Sequence, residues 1–549
     1  MKIRKMIAGS VLALFVVALG SGCSSERTRE DKVAAIIGKI DSPFLIMSMT
    51  PQNLMDKSGV MDGVLPFTYE LVLSFFIDES VTGIDYSVKS QIVMGKGESF
   101  QPSFYGIFKV KDEKKFVELI EKEANATIVE KEGMKTAIKE SDGYAVVWTE
   151  DIAMITNIPM DFMAMLSGNS GGGGDKAVNK LVELIKAAEE GEVNTTYADF
   201  LKKESDVSMY YDGKGFYGFM EDMMGESSEE IAGMKETYEG VTSEIYLNFK
   251  DGSIELEFVN HLSDKVKESL SFIQDKGISD KLMSYSNSAN PILSGGYNIE
   301  FGKFFDYLKE NMGEDVYTDM EDELTAIGLT VDDAKSSLTG EFIYIIDRFE
   351  TIEQTYDFGY GEPYTDTENV PMFAIALGIS NPAIVQKMLA DSLKMPNGVY
   401  NMGDAFVLMD GDVLFASNDS AWANKVLSKS TVSITKGKDL IAANPFGIYV
   451  DFASIAGMED LNDAEPFVKL FSEFSGGANL EGGTFKFVMT DASKNSLRII
   501  TETVANELDR MEKEMNAELE EELNDAVLEG IDELEEGLEE LEEEVEAIQ

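Results

Sequence analysis

The chain has 549 residues, with 46 lysines and arginines against 101 aspartates and glutamates and a single histidine, giving a formal net charge of −55 at pH 7. So acidic a protein is a poor partner for nucleic acid or anionic lipid, and one cysteine with one histidine supplies neither a disulfide nor a zinc, haem or iron–sulfur ligand set, so no metal or other cofactor is expected. An apolar fraction of 44% over this length is enough for more than one packed core, which favours two or three folded domains over disorder.

The chain opens with Lys2, Arg4 and Lys5, continues in an apolar run from Met6 to Leu19, and reaches its only cysteine, Cys23, through the small residues Gly20, Ser21 and Gly22. This is the layout of a secretory signal, too short for a dependable membrane span. It resembles the bacterial lipobox, departing from it in that Gly20 stands where that motif usually has leucine. The resemblance implies removal of residues 1–22, acylation of Cys23 with palmitate-type chains, and a lipid-anchored protein. Loss of the three cations would leave a mature charge of −58. Residues 23–39 read as a tether, since Ser24 to Asp31 are polar and aperiodic, and folded structure is expected from about Lys32. Serine rather than aspartate after the cysteine points to the outer membrane, with the periplasmic and surface faces both open.

Beyond the tether the order of elements repeats, which is the feature to look for before any other. Pro43 to Met49 leading to Leu54-Met55 is matched by Pro291 to Ile299 leading to Phe304-Phe305, and Val81-Thr82-Gly83 by Leu338-Thr339-Gly340. Phe104 to Val110 with Asp112 as a helix cap is matched by Met372 to Ile379 with Ser380-Asn381-Pro382. A hairpin is spelled twice, Tyr144–Trp148 with Ile152–Asn157 and Ala405–Met409 with Val413–Asn418, the second through Asp410-Gly411-Asp412. Val207–Tyr211 parallels Phe446–Asp451. The closing hairpin Ser243–Phe249 with Ile254–Val259 is expected to correspond to Thr484–Thr490 with Leu497–Thr503. Hairpins outnumber βαβ units, so the predicted fold is α+β: two tandem copies, 40–275 and 285–500, of a largely antiparallel sheet with helices, followed by an acidic helix at 501–549.

The lipobox, the strand-to-helix start at Pro43, Phe108-Lys109-Val110-Lys111-Asp112 before Phe116, and the hairpin around Val147-Trp148-Thr149-Glu150-Asp151 together resemble a family of large Bacteroidota envelope lipoproteins classified only as a domain of unknown function. The resemblance spans most of residues 1–505. It implies an envelope address and brings no catalytic site.

From Val504 onward apolar residues recur at spacings of four and three on a helix with glutamate at nearly every outward position. The strict alternation through Ile531, Leu534, Leu538, Leu541 and Val545 is a coiled-coil seam and the candidate partner-binding surface. Like charges flanking it disfavour parallel self-association. A basic partner helix, packing on the protein's own body and an extended tail are the alternatives.

Gly168-Asn169-Ser170-Gly171-Gly172 matches a nucleophile elbow, but it continues as a glycine run and its only available base is the strand residue His261, so a hydrolase is not expected. The same run lacks the Lys-Ser/Thr end of a phosphate loop. Asp410-Gly411-Asp412 and Glu459 to Asp463 lack calcium-loop spacing and read as turn and solvated face. Phe216, Tyr217 and Phe219 beside Met220, Met223 and Met224 read as core or interface. The candidate ligand site is the insertion at 356–366, where Tyr356, Phe358, Tyr360 and Tyr364 stand beside acids, an arrangement suited to a sugar ring or a peptide. The expected function is a non-enzymatic envelope lipoprotein acting as a binding or scaffold component. Its partners would be the membrane through Cys23 and another protein through the C-terminal helix. The alternative is a glycan- or peptide-capturing lipoprotein.

Overall fold

A computed structural model describes residues 27–523 apart from 65–78, 98–100, 124–125, 140–142, 159–172, 225–234, 236–237, 312–313, 327–328, 357–363, 390–392, 404, 457–464 and 521–522. The fold is mixed α+β with extensive antiparallel pairing and a C-terminal helix. Its contacts group into two compact units. The first holds Met1–Met49, Gly83–Asp85 and Lys89–Glu239, and the second Thr50–Thr82, Tyr86–Val88 and Gly240–Gln549.

The strands of the first unit are β1 (Leu45–Met49), β2 (Ser90–Gly95), β3 (Ser103–Phe108), β4 (Thr127–Lys131), β5 (Met134–Lys139), β6 (Tyr144–Trp148), β7 (Ala153–Asn157) and β8 (Val207–Asp212). They pair antiparallel in the order β4-β5-β6-β7-β3-β2-β1-β8. The helices Arg29–Ile37, Gly173–Glu190 and Thr195–Lys202 each turn a buried stripe inward, Leu181, Leu184 and Phe200 among them. The helix Glu113–Glu118 starts at the cap Asp112, whose side chain accepts from Lys115 N, and Phe116 on that helix meets the Trp148 ring edge-on at 5.2 Å.

In the second unit the strands are β9 (Val241–Lys250), β10 (Ser253–Leu262), β11 (Leu293–Asn298), β12 (Leu338–Tyr356), β13 (Tyr364–Ile379), β14 (Leu393–Lys394), β15 (Tyr400–Asn401), β16 (Phe406–Asp410), β17 (Val413–Ser417), β18 (Phe446–Asp451), β19 (Phe471–Asn479) and β20 (Gly482–Met489). Their antiparallel order is β9-β10-β20-β19-β18-β11-β12-β13-β17-β16-β15-β14. From β14 to β18 this is the order of the first unit with each strand number raised by ten. A closed core lies on one face, where Ile343, Ile345, Ala374, Ala376 and Phe415 pack against Leu282, Trp422 and Ile441 from the helices Asp280–Met283, Ser420–Leu427 and Lys438–Ala443. Trp422 is fully buried and its Nε1 donates to the Tyr285 carbonyl at 2.9 Å.

One expected pairing is corrected. Thr484–Thr490 lies in β20, but its hairpin partner is β19, not Leu497–Thr503. Residues 496–520 are helical, so the C-terminal helix starts inside the stretch read as a closing strand. The reason is visible in the sequence: Leu497, Ile499 and Ile500 alternate too briefly to specify a strand, and the Arg498–Glu502 pair at i,i+4 supports a helix.

Candidate functional site

Tyr356 and Tyr364, at the two edges of the aromatic insertion, are the last register partners of the longest hairpin among the described residues. Pairing of β12 with β11 stops at Ile346 and pairing of β13 with β17 stops at Ala374, whereas β12 and β13 stay paired out to Tyr356 and Tyr364. Nine residues of β12, 348–356, thus form a two-stranded ribbon of roughly 30 Å. Asn418 closes its base on the β13 side, Oδ1 accepting from Phe373 N at 2.9 Å and Nδ2 donating to the Pro371 carbonyl at 2.8 Å. Pro371 has no N–H to offer an outer strand, which suits the point where β13 leaves its neighbour. Of the four candidate aromatics, Tyr356 and Tyr364 are register partners, while Phe358 and Tyr360 lie outside the described residues. Cys23 and the seam residues Ile531, Leu534, Leu538, Leu541 and Val545 also lie outside them.

The described part of the C-terminal helix is held at its start. Ser496, Ile499 and Ala505 are buried, Arg498 pairs with Asp62 at 2.9 Å and with Glu502 at 3.0 Å, and Lys494 reaches Glu502 at 2.7 Å. Carboxylate Glu502, drawn on by Lys494 and Arg498, sits below its ordinary pKa. Past Leu508 the contact ends. Met511, Met515, Leu519 and Leu523 are 51%, 54%, 53% and 69% exposed.

Other motifs resolve into local structure. Asp410 and Asp412 flank Gly411, whose φ of +67° makes the β16–β17 turn. Lys429 and the Tyr285 hydroxyl bond Asp410, and Lys281 bonds Asp412. Burial alone would raise the Asp410 carboxyl, but those two donors outweigh it and hold the group below its ordinary value. His261 is an exposed strand residue with Nε2 3.1 Å from Glu244 Oε1; Ser170 lies outside the described residues. Phe216 and Phe219 pack on Phe44, with ring centroids 6.0 and 5.3 Å away, and Tyr217 is buried, so the aromatic part of that patch is packed inward, while Met223 is 45% exposed.

Sequence reasoning missed the largest feature, the second face of the sheet in the second unit. Register partners share a face, so its rows can be followed strand by strand. The row through Gly295 of β11 runs to Ile448, Gly476, Phe485, Leu256 and Leu247 on one side, and to Tyr344, Ile375 and Ala416 on the other. The row through Tyr297 reads Phe446, Ala478, Gly483, Phe258 and Ile245, then Phe342, Leu377 and Leu414. The row through Leu293 reads Val450, Phe474, Phe487, Ile254 and Phe249, then Ile346 and Phe373. Every position is apolar, glycine or tyrosine. Gly295, Gly476 and Val450 are buried, Tyr297 is 43% exposed, and the others are half-buried. The helix Pro382–Met388 covers this face at Leu414 and Ala416. Phe342 and Phe446 flank Tyr297 at 5.8 and 5.7 Å, and Phe258, Phe485 and Phe474 form a stacked series. The signal in the sequence was the unbroken apolar run Phe342 to Ile346, which puts such residues on both faces of one strand.

No family model matches the chain, and no curated protein matches it. Among solved structures, crystal forms IV, I and III of TP0453 are 9%, 9% and 8% identical to it. They cover 41%, 46% and 45% of this chain and 79%, 90% and 88% of their own, each with a TM-score of 0.25. That score is too low to define a shared fold. Among the described residues no helix is long and apolar enough to cross a membrane.

Proposed function

We propose that this chain is a non-enzymatic cell-envelope lipoprotein of the Bacteroidota type, anchored to the outer membrane through acylated Cys23 and acting as a binding or scaffold component. Its C-terminal helix engages a protein partner. The observation that carries the reading is the exposed stripe Met511, Met515, Leu519 and Leu523, one helical turn apart, on a helix whose buried positions, among the described residues, lie in its first turns. The acids around the stripe select a partner with basic flanks.

The folded part is, in this reading, a tandem duplication. Supporting it are the repeated strand order and a repeated clamp: Asn157 Oδ1 accepts from Phe104 N at 2.8 Å and its Nδ2 donates to the Pro102 carbonyl at 3.3 Å, as Asn418 does with Phe373 and Pro371. A second role, capture of a glycan or peptide at the tip of the β12–β13 ribbon, is favoured by the register pairing of Tyr356 with Tyr364.

Crosslinking in intact cells tests the main reading. The full chain should recover a partner that a chain ending at Arg510 loses, an end point chosen because Ala505 is part of the packed body. Identical recovery from both chains would refute the scaffold role.

A further inference from the structure

Gly295 and Gly296 are adjacent on the central strand of the second unit and face opposite sides of the sheet. A methyl group on Gly296 would lie 2.5 Å from Ile278 Cγ1 and 2.6 Å from Ile441 Cγ2, so that side is filled by the core. One on Gly295 would meet only the Tyr297 ring, at 4.0 Å. Gly295 is nevertheless buried, because Tyr344 and Ile448 flank it across the sheet and Leu293 and Tyr297 along the strand. The result is a pit about one side chain wide, floored by backbone. At Gly476, two strands away in the same row, the corresponding space is taken by the ring of Phe485.

We propose that the pit over Gly295 and the apolar rows beside it bind the acyl chain of a lipid. In a chain of net charge −55, three successive rows carry no charged side chain, so the occupant is uncharged where it touches them. A sugar or an extended peptide laid on this face would leave hydroxyls or amides without partners, which costs free energy. A hydrocarbon chain has none to satisfy, and gains from leaving water along a row of rings and branched side chains. The half-burial of these residues and the narrow pit suit a thin flexible chain better than a broad protein surface. The site is independent of acylation at Cys23 and of the partner helix.

The test uses the full chain carrying Cys23→Ser, so that no lipid of its own competes, titrated with the fluorescent fatty acid cis-parinarate and chased with dodecanoate. Saturable, displaceable uptake is expected. Gly295→Leu, which fills the pit, should weaken it at least about tenfold, and Tyr297→Glu, which puts a charge on the open face, should abolish it. Leu427→Glu, at an exposed residue of the helix Ser420–Leu427 that packs on the closed face, should bind like the parent. Trp422 emission and the melting temperature check that each variant is folded; if Gly295→Leu is not, Tyr297→Glu and the smaller Gly295→Ala still decide the matter. The proposal is overturned by absence of saturable uptake, by uptake that ignores both Gly295→Leu and Tyr297→Glu, or by equal loss in Leu427→Glu. Adsorption to phosphatidylcholine vesicles without uptake of soluble parinarate would also overturn it, marking the face as a bilayer or protein contact.

Discussion

Asn418 clamps Phe373: one amide group accepts from the Phe373 N–H at 2.9 Å and donates to the carbonyl of Pro371 at 2.8 Å, fixing the point where β13 leaves β17 and becomes one half of the two-stranded ribbon with β12. Asn418→Leu keeps the side chain's volume and removes both bonds, leaving two backbone groups to find water. The second unit should lose about 1–2 kcal/mol, read by urea unfolding through Trp422. Asn157→Leu should act alike on the first unit, read through Trp148, which is likewise buried. A loss at Asn418 below about 0.5 kcal/mol would show that the clamp does not hold the strand.

Gly296→Ala and Gly295→Ala make a matched pair one residue apart. At Gly296 the added methyl meets Ile278 and Ile441 in a packed core that must shift, at a cost of about 1–3 kcal/mol. At Gly295 it meets almost nothing, and loss of glycine's freedom in the unfolded chain should make the change neutral or stabilising by up to about 1 kcal/mol. Thermal melts of the two variants check this, and equal destabilisation would mean that the face over Gly295 is closed.

Much of this architecture could be read in advance because hairpins announce themselves locally. Asp410-Gly411-Asp412 between apolar runs defines a turn whatever surrounds it, and Asp112 before Phe116 defines a helix start. The strand at Leu497–Thr503 was misread because a short apolar alternation fits either period, and the Arg498–Glu502 pair that decides it is visible only at helical spacing. The open face was not legible for a different reason. Half-buried and fully buried apolar residues look identical in sequence, so Tyr344 and Ile345, on opposite faces of one strand, carry no mark of which side is covered.

Acid should act on the second unit through Asp410. Its carboxyl is held below the ordinary value by Lys429 and Tyr285 against the opposing effect of burial. A depressed carboxylate contributes stability that is complete above its unfolded pKa of about 3.9 and is lost as pH falls through the lower folded value. Asp410→Asn should therefore be less stable than the parent at pH 7 by on the order of 1 kcal/mol, with the gap narrowing below about pH 4. Unfolding at pH 7 and pH 3, followed by Trp422, measures it. A gap unchanged between the two would assign the effect to packing rather than charge.

The C-terminal helix offers a contrast within a few turns. Ala505 is 6% exposed, and a carboxylate there would be buried without a partner, costing more than about 2 kcal/mol. Met515 and Leu519, at 54% and 53% exposure, touch little, so Met515→Glu and Leu519→Glu should change stability by less than about 0.5 kcal/mol. The same two changes should abolish partner recovery in the crosslinking experiment, because they replace the apolar contact with charge while leaving the fold alone. If Met515→Glu destabilises the chain as much as Ala505→Glu does, the stripe is packed against the protein itself and has no surface left to offer a partner.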